Sequence, residues 1–177
     1  MISSLDHIIL AVEDLQDAEK NYKNILGIEP SWRGQHKELG TANVIFNFKN
    51  TYLELLSAEG EGVGADLVNE SIKKNGEGLA GIVLSTKNIS KTAKRLKDLG
   101  FLVGDVLTGE GKNKDTNDIR NWKYLFLPQE ITRNLFLFLI EHTKGILPQD
   151  EKFPSGSINK LDHVVINLSL IHISEPT

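Results

Sequence analysis

Apolar positions along this chain fall into short β-type runs, interrupted twice by stretches with helical spacing. Leu5–Val12 (LDHIILAV) is short and rich in β-branched residues, and predicts a strand. From Leu15 the period changes: Leu15, Ala18, Tyr22, Ile25 and Leu26 recur at helical intervals. Glu13, Asp14 and Asp17 sit where the positive end of a helix favours acids, and Gly27 stands where a helix C-cap wants glycine. Ile28–Gly34 predicts a second strand, Gln35–Thr41 a polar loop, and Asn43–Lys49 and Thr51–Ser57 two more strands hinged at Asn50. The resulting order is β-α-β-β-β.

The same order then returns. Leu79–Thr86 predicts a strand, and Ile89–Leu99 an amphipathic helix whose apolar face carries Ile89, Ala93, Leu96 and Leu99. Phe101–Thr108 is strand-like, and Gly109–Asp118 is polar and predicts a loop. Asn121–Leu127 and Asn134–His142 predict the last two strands. Internal repetition changes the expected fold more than any single motif does. It divides the chain into a first module over 1–58, a connector over 59–77 with a short helix over Ala65–Lys74, a second module over 78–143 and a linker over 144–160. Leu161–Asn167 (LDHVVIN) repeats the opening, so 161–177 reads as the start of a third module cut short. The closing residues 168–177 resemble the translated end of a sequencing adapter, and His172 and Glu175 are set aside for that reason.

Composition narrows the function classes. The net charge is −4 with no basic stripe, which argues against nucleic acid as partner. The absence of cysteine removes disulfides, thiolate metal sites and a Cys nucleophile, and fits a reducing compartment. The N-terminus lacks the pattern of a signal peptide, and no uncharged apolar run approaches the roughly 20 residues of a membrane helix. The expectation is a soluble cytoplasmic protein with no membrane partner. Gly60, Gly62 and Gly64 lack the context of a phosphate-cradling loop, so no nucleotide cofactor is expected. No Gly-x-Ser-x-Gly elbow is present.

The repeated unit and its motifs resemble the vicinal-oxygen-chelate superfamily, and within it the glyoxalase-like domain proteins. The resemblance rests on Leu5-Asp6-His7, Gly34-x-His36 with Gly40-Thr41-x-Asn43, Tyr52–Leu56, Gly78-Leu79, Trp122 with Phe126, and Phe138–Glu141. It implies an α+β fold of paired βαβββ modules, as in glyoxalase, bleomycin-resistance and dihydroxybiphenyl-dioxygenase proteins, with curved mixed sheets and helices outside. It also implies a cleft whose metal ligands come from the first and last strands of each module. Carried over, those positions are His7, Glu54, Gly81 and Glu141. Gly81 cannot bind, leaving one His and two Glu, a set that suits zinc, manganese, iron or nickel. His163 takes the corresponding position in the third module, where its partners are absent.

Strand alternation puts His7 on the face of Leu5, Ile9 and Ala11, and Glu54 on the face of Tyr52 and Leu56. A carboxylate in a strand as apolar as that around Glu141 needs a partner, a metal or a proton. Without the resemblance, His7 reads first as a hydrogen-bonded core histidine and His36 as a solvated loop histidine, and Glu54 reads equally as a sheet carboxylate at an edge or against solvent. With it, Glu141 and His36 are candidates for proton transfer, and His36, Asn43, Arg120 and Trp122 for substrate contact.

The resemblance therefore implies a divalent-metal enzyme acting on a small oxygenated substrate, of lyase or isomerase type. Dioxygenation ranks lower, because its usual two-His-one-carboxylate set needs a second His that Gly81 does not supply. Two alternatives stand beside it: a metal-free binding protein of the bleomycin-resistance type, and a non-catalytic module of a longer enzyme. The fold also leaves room for a homodimer.

Overall fold

The computed structural model describes residues 1–128, 132, 135–146 and 153–166. Eight strands close into one barrel. The first four are β1 (Ile2–Ala11), β2 (Trp32–His36), β3 (Thr41–Asn47) and β4 (Tyr52–Ala58). The second four are β5 (Gly78–Thr86), β6 (Leu107–Asn113), β7 (Ile119–Phe126) and β8 (Phe136–Lys144). Their order around the barrel is β1-β4-β3-β2-β6-β7-β8-β5. Each half is thus a four-stranded sheet in which the first and last strands run parallel, β1 with β4 and β5 with β8. The halves join through the antiparallel pairs β1–β5 and β2–β6.

Helix α1 (Leu15–Leu26) starts where Asp14 accepts hydrogen bonds from the amides of Gln16 and Asp17, and it ends at Gly27 in the left-handed region. It covers the outside of the first half, where Ile8, Val44, Phe46, Leu53 and Leu55 are buried. Helix α3 (Ile89–Asp98) covers the second half over Leu125 and Leu139. Helix α2 (Val63–Asn75) lies against the barrel and sends Val68 into the interior cluster with Ile9, Leu56, Val83 and Phe138. Among the described residues, no helix is long and apolar enough to cross a membrane.

The structure moves several predicted boundaries. The strand expected over Ile28–Gly34 begins at Trp32 and continues to His36, so His36 closes a strand. The stretch Gly109–Asp118, read as loop for its polarity, holds most of β6. Only alternate β6 residues face the interior, where Gly111 and Asn113 are needed small or hydrogen-bonded. Gly109 is held by close approach: a Cβ there would lie 2.5 Å from the Trp122 ring. Phe101–Val106, expected as strand, carries no regular structure. No strand forms over 161–166; this segment follows the outer face of the first half, with Leu161 paired to Asn50 through its backbone and Val164 packed on the core. Residues 167–177, with the adapter-like tail, lie outside the described residues.

Candidate functional site

The barrel holds a hollow of about 710 Å³, lined by residues of α2 as well as by the inward faces of the strands. One side of it is polar. His7, His36, Asn43 and Glu54 are each at least nine-tenths buried and all line it. A β-bulge explains part of this arrangement. Between Leu5 and His7, strand β1 advances two residues while β5 advances one, from Leu84 to Val83. Leu5 consequently packs outward beneath α1, not on the His7 face as simple alternation predicts, while Asp6 stays in reach of the His7 ring.

His7 lies between two carboxylates. Its Nδ1 is 2.7 Å from Asp6 Oδ1 and its Nε2 is 3.1 Å from Glu54 Oε2. Burial alone would lower the His7 pKa, but hydrogen bonds and charge from Asp6 and Glu54 outweigh it and raise the pKa. The two acids thus favour the charged form of the ring. Burial pushes both carboxyls up, and their histidine partners overcome it: Glu54 is lowered through His7, and Asp6 through His142 and His7. Asn43 donates its amide to Glu54, and the Tyr52 hydroxyl donates to Asp6 at 3.0 Å. The Tyr52 ring stacks on His7 with centroids 4.3 Å apart. His142 Nε2, at the rim, lies 3.2 Å from Asp6. A continuous chain thus runs His142–Asp6–His7–Glu54–Asn43.

His36 has a different setting. Its Nδ1 meets the Thr41 hydroxyl at 2.9 Å, and Trp122 meets its ring edge-on at 5.4 Å. Burial lowers its pKa, and the charges of Arg120 and His7 add to this, against Glu54 alone. Its surroundings favour the neutral ring, in the same hollow where those of His7 favour the charged one. Arg120 lies over the Trp32 ring at 5.4 Å, and its charge acts to lower the Tyr52 pKa that burial raises.

Of the residues singled out from sequence, His7, His36, Asn43, Glu54, Arg120 and Trp122 meet at this hollow. Glu141 does not. Its carboxylate accepts a hydrogen bond from the Ile89 amide at 2.7 Å, outside the barrel at the start of α3. The expected set of His7, Glu54 and Glu141 is therefore not assembled. Strand register explains why. In the first half His7 pairs with Tyr52 and Ile9 with Glu54; in the second, Gly81 pairs with Phe136 and Val83 with Phe138. Phe138, not Glu141, holds the place of Glu54, and a Cβ on Gly81 would lie 2.8 Å from the Phe136 carbonyl oxygen. Among the described residues, no three His, Asp or Glu side chains are grouped to hold a metal ion. The donor set does not fit the implied divalent metal.

Asp6, Tyr52, Trp32 and His142 were missed as site residues. The bulge hides Asp6 from any alternation argument. His142 and Phe138 had a readable signal: laying the apolar pattern of β8 (FLFLIEH) on that of β4 (YLELLSA) aligns Phe138 with Glu54.

A model of the glyoxalase-like domain matches residues 5–175. The chain belongs to this family. With it, the glyoxalase-like protein belongs to the vicinal-oxygen-chelate superfamily, and its mixed α+β barrel has the fold of that group. It is 31% identical over 103 residues to the ethylmalonyl-CoA/methylmalonyl-CoA epimerase of Cereibacter sphaeroides, covering 58% of this chain and 75% of that one. It is 32% identical over 96 residues to the mitochondrial methylmalonyl-CoA epimerase of Homo sapiens, covering 54% of this chain and 53% of that enzyme's length. Among solved structures, a hypothetical protein from Bacillus halodurans matches with TM-score 0.65 at 20% identity, over 80% of this chain and 96% of that chain. The methylmalonyl-CoA epimerase of Mycobacterium tuberculosis matches with TM-score 0.63 at 17% identity, over 81% and 90%. At these identities the structural likeness concerns the fold.

Proposed function

We propose that the glyoxalase-like protein is an isomerase-type enzyme that moves a proton at a carbon next to a carbonyl of a small acyl substrate. One observation carries this reading: two buried histidines face a single hollow with opposite partners, His7 between two carboxylates and His36 beside a hydroxyl and an indole edge. Groups whose surroundings drive them to opposite protonation states supply the acid and the base of such a reaction. In the proposed step His36 takes the proton as the C–H bond breaks, and the electron pair moves into the carbonyl as an enolate. A proton returns to that carbon from the His7–Glu54 pair; solvent resupplies this pair through the Asp6–His142 end of the chain, and His36 gives its proton to solvent as product leaves. Among the described residues no three acids or histidines are grouped as ligands for a divalent ion, so these steps are assigned to the protein's own groups. The epimerase relatives support proton transfer over lyase or dioxygenase chemistry.

The test is deuterium incorporation from D₂O at C2 of methylmalonyl-CoA and ethylmalonyl-CoA, followed by NMR. His36→Gln and His7→Gln are each expected to slow exchange by about 10²–10⁴-fold. Exchange that persists in both variants refutes the assignment. A second reading, sequestration of an apolar small molecule, is favoured by the aromatic side of the hollow, where Tyr124, Phe126, Phe136 and Phe138 pack ring to ring. It expects tight ligand binding with no exchange in the unaltered protein.

A further inference from the structure

The inward face of β7 is a graded ladder. Arg120, Trp122, Tyr124 and Phe126 alternate along it, and all four line the hollow. Arg120, with 7% of its surface exposed, carries a full charge almost wholly out of water. Its guanidinium lies over the Trp32 ring, and its buried Nε has no hydrogen-bond partner. Among the described residues, no carboxylate stands within ion-pair distance of it, whereas His7 is matched twice over by Asp6 and Glu54. A buried guanidinium on the wall of a cavity, with one donor unpaired, is an unfinished interaction, and the group that completes it best is a carboxylate, which takes the planar fork in two parallel hydrogen bonds. Arg120 and His36 line the same hollow, so an anion held by Arg120 shares it with the proposed base.

From this corner the wall turns apolar. Residues two apart on a strand are roughly 6.6 Å apart, so Trp122 and Tyr124 lie about 7 and 13 Å from Arg120. Facing them, Phe136 and Phe138 of β8 complete an aromatic lining. We propose that Arg120 is the specificity residue of the hollow, binding the free carboxylate of an amphipathic acid whose apolar body lies along Trp122 and Tyr124. This names a substrate class for the isomerase reading and rests on it: the substrate carries a carboxylate apart from the carbonyl that acidifies its C–H bond. A neutral ester or amide of the same shape leaves Arg120 unpaired and is rejected.

The protein's two tryptophans, Trp32 and Trp122, both line this hollow, so fluorescence quenching reports its occupancy. The probes are 3-phenylpropanoate and 3-phenylpropanamide, equal in shape and different in charge. The unaltered protein is expected to bind the acid about 10- to 100-fold more tightly than the amide, the range of a charged hydrogen-bonded pair. Arg120→Met is expected to abolish that difference while binding of the amide changes less than about threefold. Equal affinity for acid and amide in the unaltered protein overturns the proposal without recourse to any variant, as does the absence of saturable quenching by either probe. A preference kept in Arg120→Met overturns it as well. The two readings fail separately: deuterium exchange without acid preference removes the carboxylate site alone, and acid preference without exchange removes the isomerase reading alone.

Discussion

The two halves of the barrel repeat one element order and one strand register, yet they line a common hollow with different chemistry. At three register-matched positions the first half has His7, Tyr52 and Glu54, and the second has Gly81, Phe136 and Phe138. Outward positions diverged less: Leu55 of β4 corresponds to Leu139 of β8, and each is fully buried in the cluster under its half's covering helix. The helix-facing layer must exclude water in both halves, so it holds its apolar character. The inward layer bounds a cavity that is not filled by side chains, and there the two halves specialise. One became a hydrogen-bonded charge chain, the other an aromatic wall, and the second half returns Arg120 and His142 to the polar side.

If the second half is held by packing, as the first is by paired charge, then truncating its central ring is the most damaging single change. Phe138 touches Tyr124, Phe126 and Phe136 in ring contacts with centroids 5.2–6.2 Å apart. Phe138→Ala is expected to lower unfolding free energy by about 3–5 kcal/mol in urea denaturation. A loss below about 1 kcal/mol would mean that the wall contributes little to the fold and that the contrast between halves is one of lining only.

The repeat was legible because it lies in the outward, water-excluding positions, whose periods of two and 3.6 survive any change in function. The polar side was legible for the same reason: His7, Asn43 and Glu54 interrupt apolar strands, and a buried polar residue announces a partner. What escaped were features that depend on register. The Asp6 bulge shifts Leu5 to the other face, and no property of LDHI in isolation marks it. Glu141 was the only acid in β8, and its carboxylate drew attention away from the alternation of Phe136, Phe138 and Ile140, which shows where the inward face lies. The polarity of Gly109–Asn113 suggested loop because small and polar residues mark loops; here they make room for Trp122 and His36 inside the barrel.

A second way to sharpen the contrast is pH, because the two histidines act with opposite sign. The folded pKa of His7 is raised, so its stabilising contribution is fully present below the unfolded value of about 6.5 and is lost as pH rises through the folded value. The folded pKa of His36 is lowered, so stability falls as pH drops from about 6.5 toward that lower value. Asp6 and Glu54 are lowered too, and their contribution, present above about 4, is lost only below it. Stability should therefore peak near pH 6.5, with a slope on either side bounded by about 1.4 kcal/mol per pH unit for each proton. Thermal melts across pH 4–9 should show His7→Gln flattening the alkaline limb and His36→Gln the limb between about 4 and 6.5. Loss of the same limb in both variants would show that the two rings titrate as one unit.

Glu141 offers the smallest effect and the cleanest separation of site from scaffold. Its carboxylate meets the first amide of α3, next to Asn88, whose side chain accepts from the Lys91 amide at 2.8 Å. Two acceptors thus serve the exposed donors at one helix start, and the negative charge lies at the positive end of the helix dipole. Glu141→Ala should cost about 1 kcal/mol, the usual worth of a helix cap, and less if Asn88 compensates. Deuterium exchange at the substrate should be unchanged, because the barrel wall stands between this carboxylate and the hollow. A large drop in exchange with a small change in stability would return Glu141 to the chemistry, and it would require β8 to slip by one residue, since a one-residue slip exchanges the two faces of a strand. The same slip would turn Phe136 and Phe138 outward, so the Glu141 and Phe138 variants cannot both give the opposing result unless the register of β8 itself is different.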